Sequence, residues 1–233
     1  MTPILILRGW GSKIENWKTV IGLLENQGYK VFSPDLPGFG QNSPPETPWG
    51  VDDYVNWVSD FCTKNNLSKF FLVGHSFGGG IALKYAVKHP QNPQKLIFAD
   101  AAISRTQKPA KEAIGKVAGA LKKFSFLPFY SKIRKIAYQN FLKSDYPLEE
   151  GVMRQTYLKV FSEDLREHLS KVKIPTMIIW GEKDDATPTK DAYLIKEKIQ
   201  GADLEILPGI HHHPNSECPE KLATLIANFL KWN

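Results

Sequence analysis

The stretch Phe70-Phe71-Leu72-Val73-Gly74-His75-Ser76-Phe77-Gly78 joins four apolar residues to a glycine-rich turn with a serine at its centre. Four apolar residues are enough for a short buried strand. An apolar helical pattern follows the turn and ends at Pro90. Small residues two positions before and after the serine allow the strand and the helix to approach closely. The stretch therefore predicts a strand, a sharp turn and a helix, with the Ser76 hydroxyl exposed above a sheet.

The turn matches the pattern G-x-S-x-G through Gly74, Ser76 and Gly78. By chance such a pattern occurs about one time in ten in a chain of this length, so alone it is weak evidence. Its position between a strand and a helix makes it specific, because the serine then lies at a helix N-terminus that stabilises negative charge. We therefore predict that Ser76 is a nucleophile, which requires a base and an acid that orients the base.

Strands and helices alternate over most of the chain. Apolar runs predict six strands, at residues 4–7, 30–33, 70–73, 95–100, 174–180 and 204–207. Helical patterns between them predict an α/β fold, with a parallel sheet covered on both faces. The alternation breaks at residues 104–170, which are basic, rich in aromatic residues and helical in composition. We predict a core of residues 1–103 and 171–233, with residues 104–170 inserted as a helical cap, or lid.

Two loops that follow later strands carry the candidate acid and base. The acidic residues after the fifth strand are Glu182, Asp184 and Asp185. The sixth strand is followed by His211, His212 and His213. Because parallel strands end at the same edge of a sheet, both loops are expected near Ser76. Asp100 also follows a strand, and we interpret it as a turn or N-cap residue at the start of the cap. The residues alone leave open which carboxylate and which histidine act.

These features resemble the α/β-hydrolases of the capped type, which include small carboxylesterases, enol-lactone hydrolases and C–C bond hydrolases. The acid of that family lies in a stretch like G-x-x-D-x-x-x-P, which implies Asp184 in this chain. Its base lies in a pattern like P-x-x-G-H-x-P-x-x-E-x-P-E, which falls on residues 208–220. The resemblance therefore implies that His212 is the base, and that His211 stands where the family usually has glycine.

Acyl transfer also needs two backbone N–H donors that bind the oxyanion. One is expected at Phe77, directly after the nucleophile. The resemblance implies that the second is Trp10, because the family turn H-G-x-G falls on Arg8-Gly9-Trp10-Gly11. Arg8 replaces the histidine of that turn, and we expect its side chain to support the turn rather than to take part in chemistry.

The start of the sheet departs from the family pattern. Members usually have antiparallel strands before the strand that leads to the oxyanion turn, whereas here that strand is Ile4–Leu7. The resemblance therefore implies a mostly parallel sheet of about six strands that lacks the antiparallel pair. Such a sheet can expose an edge, which makes a homodimer a possible assembly.

The predicted cap is rich in aromatic residues. They are Phe124, Phe126, Phe129, Tyr130, Tyr138, Phe141, Tyr157 and Phe161. Most of them are expected to pack the cap onto the core. Candidates that line a pocket are Phe126, Phe129, Tyr130 and Phe141. Together with Trp10 and Phe77 they would form an apolar cleft for an acyl chain or an aryl group.

Composition narrows the classes of partner. The net charge is +6, and residues 104–173 hold 15 Lys and Arg against 7 Asp and Glu. A basic excess suits nucleic acid or an anionic membrane surface, but lysines interspersed with apolar residues are typical of a solvated helical face. Cys62 and Cys218 match no metal-site or disulfide pattern, so no metal is expected. No cofactor is expected either. We see no leader sequence or membrane-length apolar run, and we expect a cytoplasmic protein without stable membrane insertion or bound nucleic acid.

The sequence thus predicts a serine hydrolase that cleaves carboxylic esters through an acyl-enzyme intermediate. Alternatives on the same fold are a C–C bond or enol-lactone hydrolase, and a slow-turnover ligand receptor that retains the three residues. Dehalogenases and epoxide hydrolases of this fold use aspartate at the nucleophile position, and position 76 is serine.

Overall fold

The computed structural model of the protein describes residues 1–104 and 151–231. Six parallel strands form one sheet in the order β2-β1-β3-β4-β5-β6. The strands are β1 (Ile4–Leu7), β2 (Val31–Phe32), β3 (Phe70–His75), β4 (Pro93–Ala99), β5 (Thr176–Gly181) and β6 (Asp203–Leu207). Each described pair is parallel, so the predicted six-stranded sheet without an antiparallel pair is confirmed.

Seven helices are described around this sheet. They are α1 (Lys18–Glu25), α2 (Val51–Lys64), α3 (Phe77–Lys88), α4 (Val152–Ser162), α5 (Thr189–Lys198), α6 (Pro214–Glu217) and α7 (Pro219–Lys231). Short 3-10 helices precede α1 and β5, at Ile14–Trp17 and Arg166–Lys171. None of the helices in the described part of the chain is both long and apolar enough to cross a membrane.

The sheet is buried on both faces because successive side chains of a strand point to opposite sides. In β1, Leu5 and Leu7 belong to one apolar cluster, which includes residues of α2 and α3. Ile4 and Ile6 belong to the other cluster, which includes residues of α1 and α7. All four side chains are fully buried, which explains the continuous apolar run that predicted this strand.

The insertion lies between β4 and β5, where the cap is predicted. Its described part, α4 and the following 3-10 helix, belongs to the same compact unit as residues 1–104. The hydroxyl of Thr156 in α4 accepts a hydrogen bond from the backbone of Trp49 at 3.0 Å. The predicted pocket residues Phe126, Phe129, Tyr130 and Phe141 lie outside the described residues.

Candidate active site

Ser76 occupies the turn between β3 and α3 in a strained backbone conformation. Its φ is +51° and its ψ is −119°, a region that residues with a side chain rarely adopt. Three backbone hydrogen bonds stabilise the turn. The Ser76 N–H donates to Ala99 at 3.1 Å, and its carbonyl accepts from Gly79 at 2.9 Å and from Ala102 at 2.8 Å. The hydroxyl is thereby fixed at the carboxyl edge of the sheet.

The glycines of the turn are required by close packing rather than by φ. A Cβ on Gly74 would lie 2.6 Å from the carbonyl oxygen of Gly78, and one on Gly78 would lie 2.0 Å from that of Leu7. A Cβ on Gly9 would lie 3.2 Å from the Cβ of Ser76. Because a backbone oxygen cannot move aside as a flexible side chain can, the G-x-S-x-G pattern reflects the approach of β1, β3 and α3.

The structure brings the three predicted side chains into one hydrogen-bonded chain. The Oγ of Ser76 lies 2.8 Å from Nε2 of His212, and Nδ1 of His212 lies 2.7 Å from Oδ2 of Asp184. The Asp184 side chain is fully buried and that of His212 is 13% exposed. This geometry suits transfer of a proton from Ser76 to an imidazole that Asp184 orients.

Asp184 receives four hydrogen bonds. Its Oδ1 accepts from the backbone N–H groups of Ala186 at 2.8 Å and Thr187 at 2.9 Å. Its Oδ2 accepts from His212 and from the Thr187 hydroxyl, which lies 2.5 Å away. Burial alone would raise the pKa of Asp184, but the hydrogen bonds from His212 and Thr187 outweigh it and lower the pKa. Asp184 is therefore the ionised carboxylate of the site.

Two of the rival residues of the two loops, Glu182 and His211, have partners other than the chain of hydrogen bonds from Ser76. Glu182 is exposed and accepts a hydrogen bond from the backbone of Gly209 at 2.8 Å. His211 is exposed, and its Nδ1 lies 3.0 Å from Oε2 of Glu217. The His213 ring centroid lies 5.2 Å from that of His212, at the side of the site. Among the candidates, His212 is the histidine that contacts Ser76.

Glu217, at the end of α6, holds the histidine loop from both sides of His212. Its Oε2 accepts from the backbone N–H of His211 at 3.0 Å, and its Oε1 accepts from that of His213 at 3.1 Å. These hydrogen bonds and the His211 side chain lower the pKa of Glu217 although burial favours a higher one. A carboxylate that bridges residues 211 and 213 restricts the backbone that carries the imidazole.

His75 is a residue of the site that the sequence did not identify. Its place next to Ser76 in the sequence gives no sign of a contact with the histidine loop. Its Nε2 lies 2.9 Å from the carbonyl oxygen of His212 itself. Burial is the main cause and the nearby His212 the second cause that lower the pKa of His75 to about 3. The ring is therefore neutral, and its Nε2–H donates to the His212 carbonyl oxygen. No local pattern could reveal this contact, because it depends on where the loop after β6 lies.

Arg8 braces the turn that contains Trp10. Its guanidinium is buried and donates to the carbonyl oxygens of Ser12 at 2.8 Å and Pro34 at 3.0 Å. It also pairs with the carboxylate of Asp35. A histidine could not make three such contacts at once, so the arginine ties this turn to the loop after β2 more extensively.

The two predicted oxyanion donors come from the turn after β1 and from the start of α3, and the ring centroids of Trp10 and Phe77 lie 5.3 Å apart. Phe77 is the first residue of α3, where N–H groups have no partner within the helix. The backbone N–H of Trp10 donates to no acceptor among residues 1–104 and 151–231. Unpaired backbone N–H groups are what an oxyanion requires, and the role of these two groups stays a prediction.

An aromatic cluster lies next to these donors. Among the described residues, the Trp10 ring has four aromatic neighbours at centroid distances of 4.8–5.8 Å, which are Phe39, Phe77, Tyr157 and Phe161. Two of these neighbours come from α4, in the described part of the predicted cap. Such a wall is suited to apolar groups.

Asp100, at the end of β4, completes the polar cluster. It lies in a positive-φ conformation, at +46°, and its side chain is fully buried. Ligand-type atoms of Asp100, Asp184 and His212 lie within 4.8 Å of one another. Since both nitrogens of His212 already contact Ser76 and Asp184, we interpret the cluster as an acid–base network rather than a metal site. The predicted turn position of Asp100 is correct, but its Oδ1 accepts from the backbone of Gly181 at 2.8 Å instead of capping a helix.

Comparison with known proteins identifies the class. Residues 2–217 match the family described as the alpha/beta hydrolase fold. The chain therefore belongs to the α/β-hydrolase family, as its resemblance implied.

Relatives within the family include proteins named for lipid or ester hydrolysis. A monoacylglycerol lipase, ABHD6, of Homo sapiens is 26% identical over 97% of this chain and 75% of its own length. Lipase 3 of a Moraxella species is 26% identical over 95% and 75%. The solved structure of an esterase from Exiguobacterium antarcticum superposes with a TM-score of 0.80, at 25% identity, and covers 100% of this chain and 92% of its own.

Proposed function

We propose that this hydrolase cleaves carboxylic esters with an apolar acyl or aryl group, through an acyl-enzyme formed on Ser76. The observation that carries the proposal is the continuous hydrogen-bonded chain from Ser76 through His212 to the ionised Asp184. An imidazole in this position can take the serine proton, and a buried carboxylate stabilises the imidazolium that forms.

The reaction follows from these contacts. Ser76 Oγ attacks the ester carbonyl carbon while His212 Nε2 takes the hydroxyl proton. The N–H groups of Trp10 and Phe77 bind the oxyanion of the tetrahedral intermediate. His212 then gives its proton to the departing alcohol. A water molecule, deprotonated by His212, attacks the acyl carbon, and the acid departs as His212 returns the proton to Ser76 Oγ. Asp184 remains ionised throughout and holds Nδ1 of the imidazole.

The apolar preference rests on the aromatic cluster around Trp10. Its rings come from the turn that contains Trp10, from the loop after β2, from α3 and from α4, and Phe77 is the residue directly after Ser76. Similarity to proteins named as a monoacylglycerol lipase and an esterase also supports an ester substrate. A cytoplasmic location, a homodimer and the absence of nucleic-acid binding stay predictions.

The test is steady-state hydrolysis of a p-nitrophenyl ester series from acetate to decanoate. We expect multiple turnovers, at about 1 per second or faster, and a preference for longer acyl chains. Ser76→Ala should lower kcat by about 10⁴-fold or more, whereas Ser43→Ala, at an exposed serine, should not. A fluorophosphonate should label Ser76, as mapped by mass spectrometry.

Three outcomes would contradict the proposal. Turnover of a vinylogous diketone without turnover of any ester would favour a C–C bond hydrolase. A single slow acylation with a tight complex would favour a receptor. Labelling at a residue other than Ser76 would remove the assigned nucleophile.

A further inference from the structure

Asp100 is a buried carboxyl group that the reaction does not use. Its Oδ1 accepts one hydrogen bond, from the backbone N–H of Gly181. Its Oδ2 is buried and has no hydrogen-bond partner in the described part of the chain. Asp184 lies beside it, with carboxylate and imidazole atoms of the cluster within 4.8 Å of one another. An acceptor oxygen without a donor, next to a second carboxylate, is costly unless a proton lies between them.

The distribution of donors decides which of the two carboxyl groups carries that proton. Asp184 accepts four hydrogen bonds, including one from His212 and two from Thr187. Asp100 accepts one. Because hydrogen bonds to a carboxylate stabilise its ionised form, the negative charge belongs on Asp184 and the proton on Asp100.

We propose that Asp100 is protonated at Oδ2 and donates a hydrogen bond to Asp184, and that it thereby positions the acid of the triad. Asp100 is a positioning residue, since it reaches the reacting atoms only through Asp184 and His212. The inference rests on the proposed triad for its effect on rate, but the protonation state can be measured without any substrate.

The backbone supports the same arrangement. The N–H of Asp100 donates to Ile179 at 3.1 Å, and its carbonyl lies 3.1 Å from the Thr187 hydroxyl. The residue is held at a φ of +46°, so the strain places its carboxyl group towards β5 instead of into solvent. One residue thus joins the end of β4 to the loop that carries Asp184.

The charged surroundings favour the neutral form. Burial raises the pKa of Asp100 well above its usual value, and Asp184 and Glu217 act in the same direction, against the single Gly181 hydrogen bond. His212 and Cys218 also face the pair, and burial raises the pKa of the Cys218 thiol, which keeps it uncharged. Two interacting carboxyl groups titrate as a pair, and the second proton leaves only at high pH.

Two variants test the proposal. In Asp100→Asn the amide oxygen can accept from Gly181 and the NH₂ group can donate to Asp184, so a protonated acid is reproduced in shape and charge. We expect kcat/KM for p-nitrophenyl butyrate within about threefold of the parent enzyme, because no hydrogen bond is lost. Asp100→Leu keeps the branching at Cγ, with a larger side chain, but removes both interactions, and kcat should fall by about 10- to 100-fold with little change in KM.

The acid limb of the pH profile separates a neutral from an ionised Asp100. An ionised Asp100 would stabilise the imidazolium of His212, so its replacement by asparagine would move the acid limb of kcat/KM to lower pH. A neutral Asp100 predicts that the limb stays in place in Asp100→Asn. A shift of about one pH unit or more would overturn the proposal.

Infrared difference spectroscopy gives a readout that needs no activity. The parent enzyme minus Asp100→Asn should show the C=O stretching band of a protonated carboxylic acid at pH 7, sensitive to exchange in D₂O. The matched control Asp60→Asn, at an exposed carboxylate, should show only carboxylate bands. Carboxylate bands in the Asp100 difference spectrum would overturn the proposal, as would a folded Asp100→Leu with unchanged kcat. If Asp100→Leu does not fold, the infrared band and the pH profile of Asp100→Asn still test whether Asp100 is protonated.

Discussion

Different interactions stabilise the turn that carries Ser76 and the two loops that carry Asp184 and His212. The serine turn is held by backbone packing: a Cβ added to Gly74 or Gly78 would collide with a backbone carbonyl oxygen, and Ser76 has a strained φ. The acid and histidine loops are held by polar side chains: Glu217 accepts from the backbone of His211 and His213 within the histidine loop, and Glu182 of the acid loop accepts from the backbone of Gly209.

The difference has a physical reason. A nucleophile is attached through one Cβ, so its position follows from its own backbone. The imidazole must meet two partners at opposite nitrogens, so its ring and its loop both need support, and hydrogen bonds supply direction that packing does not. Substitutions in the serine turn should therefore affect folding, whereas substitutions in the loops should affect rate with the fold retained.

The largest effect is expected at Gly78. In Gly78→Val the added Cβ would lie 2.0 Å from the carbonyl oxygen of Leu7, so β1 and α3 cannot both keep their positions. We expect a loss of more than about 4 kcal/mol in the free energy of unfolding, or no folded protein at all. Chemical denaturation followed by circular dichroism measures this.

Gly22 in α1 provides the control for that variant. A Cβ there would meet nothing within 4 Å, and alanine favours a helix over glycine by about 1 kcal/mol. Gly22→Ala should therefore be at least as stable as the parent protein. A stable Gly78→Val would show that the serine turn is not held by close packing.

Among substitutions in the acid and histidine loops, Asp184→Asn should give the largest change in rate with the fold intact. The carboxylate of Asp184 accepts four hydrogen bonds with two oxygens, whereas an asparagine amide has one acceptor oxygen. The variant therefore cannot accept the His212 Nδ1–H and also keep its other donors, and kcat should fall by about 10⁴-fold. Asp185→Asn, at the neighbouring exposed carboxylate, should leave kcat within about twofold. Equal losses in the two variants would contradict the assignment of Asp184, and circular dichroism should report an unchanged fold.

Glu217→Gln should have a smaller effect on rate. The amide has one oxygen for two backbone N–H groups, so either His211 or His213 loses its acceptor. We expect kcat to fall by about tenfold, with KM nearly unchanged, because one hydrogen bond to a charged group is lost. Glu25→Gln, at an exposed residue of α1, is the control. A change in KM alone would mean that Glu217 acts on the pocket and not on the histidine loop.

His75→Gln should have the smallest effect on rate and a distinct effect on stability against pH. Glutamine can still donate to the His212 carbonyl, so kcat should change by less than about fivefold. His75 has a pKa of about 3 in the folded protein, below the value of the unfolded chain, so unfolding takes up a proton between these values.

Parent stability should therefore fall as the pH decreases from about 6.5 to about 3, by up to about 1.4 kcal/mol per pH unit from this group. His75→Gln should lose this part of the pH dependence, so the two unfolding curves converge at low pH. Denaturant titrations between pH 4 and pH 7 measure the difference. Parallel curves would mean that His75 is not a buried neutral histidine.

The predictable part of the fold is the part that depends on local pattern. The apolar runs placed all six strands to within two residues at most ends, since a buried parallel strand is apolar throughout. The G-x-S-x-G turn was visible because close packing demands glycine at fixed positions. For the acid and the base, strand order alone left three carboxylates and three histidines, and the family pattern was needed to select Asp184 and His212.

Tertiary structure alone decided which side chains support those residues. The sheet order places β4 beside β5, and only this adjacency brings Asp100 next to Asp184. The loop after β6 returns over β3, so that His75 reaches the carbonyl of His212. Such contacts join residues that are far apart in the chain, so they produce no repeating pattern in the sequence. The sequence determined the candidate reacting groups and their order along the chain, and the packing of the strands determined which side chains contact them.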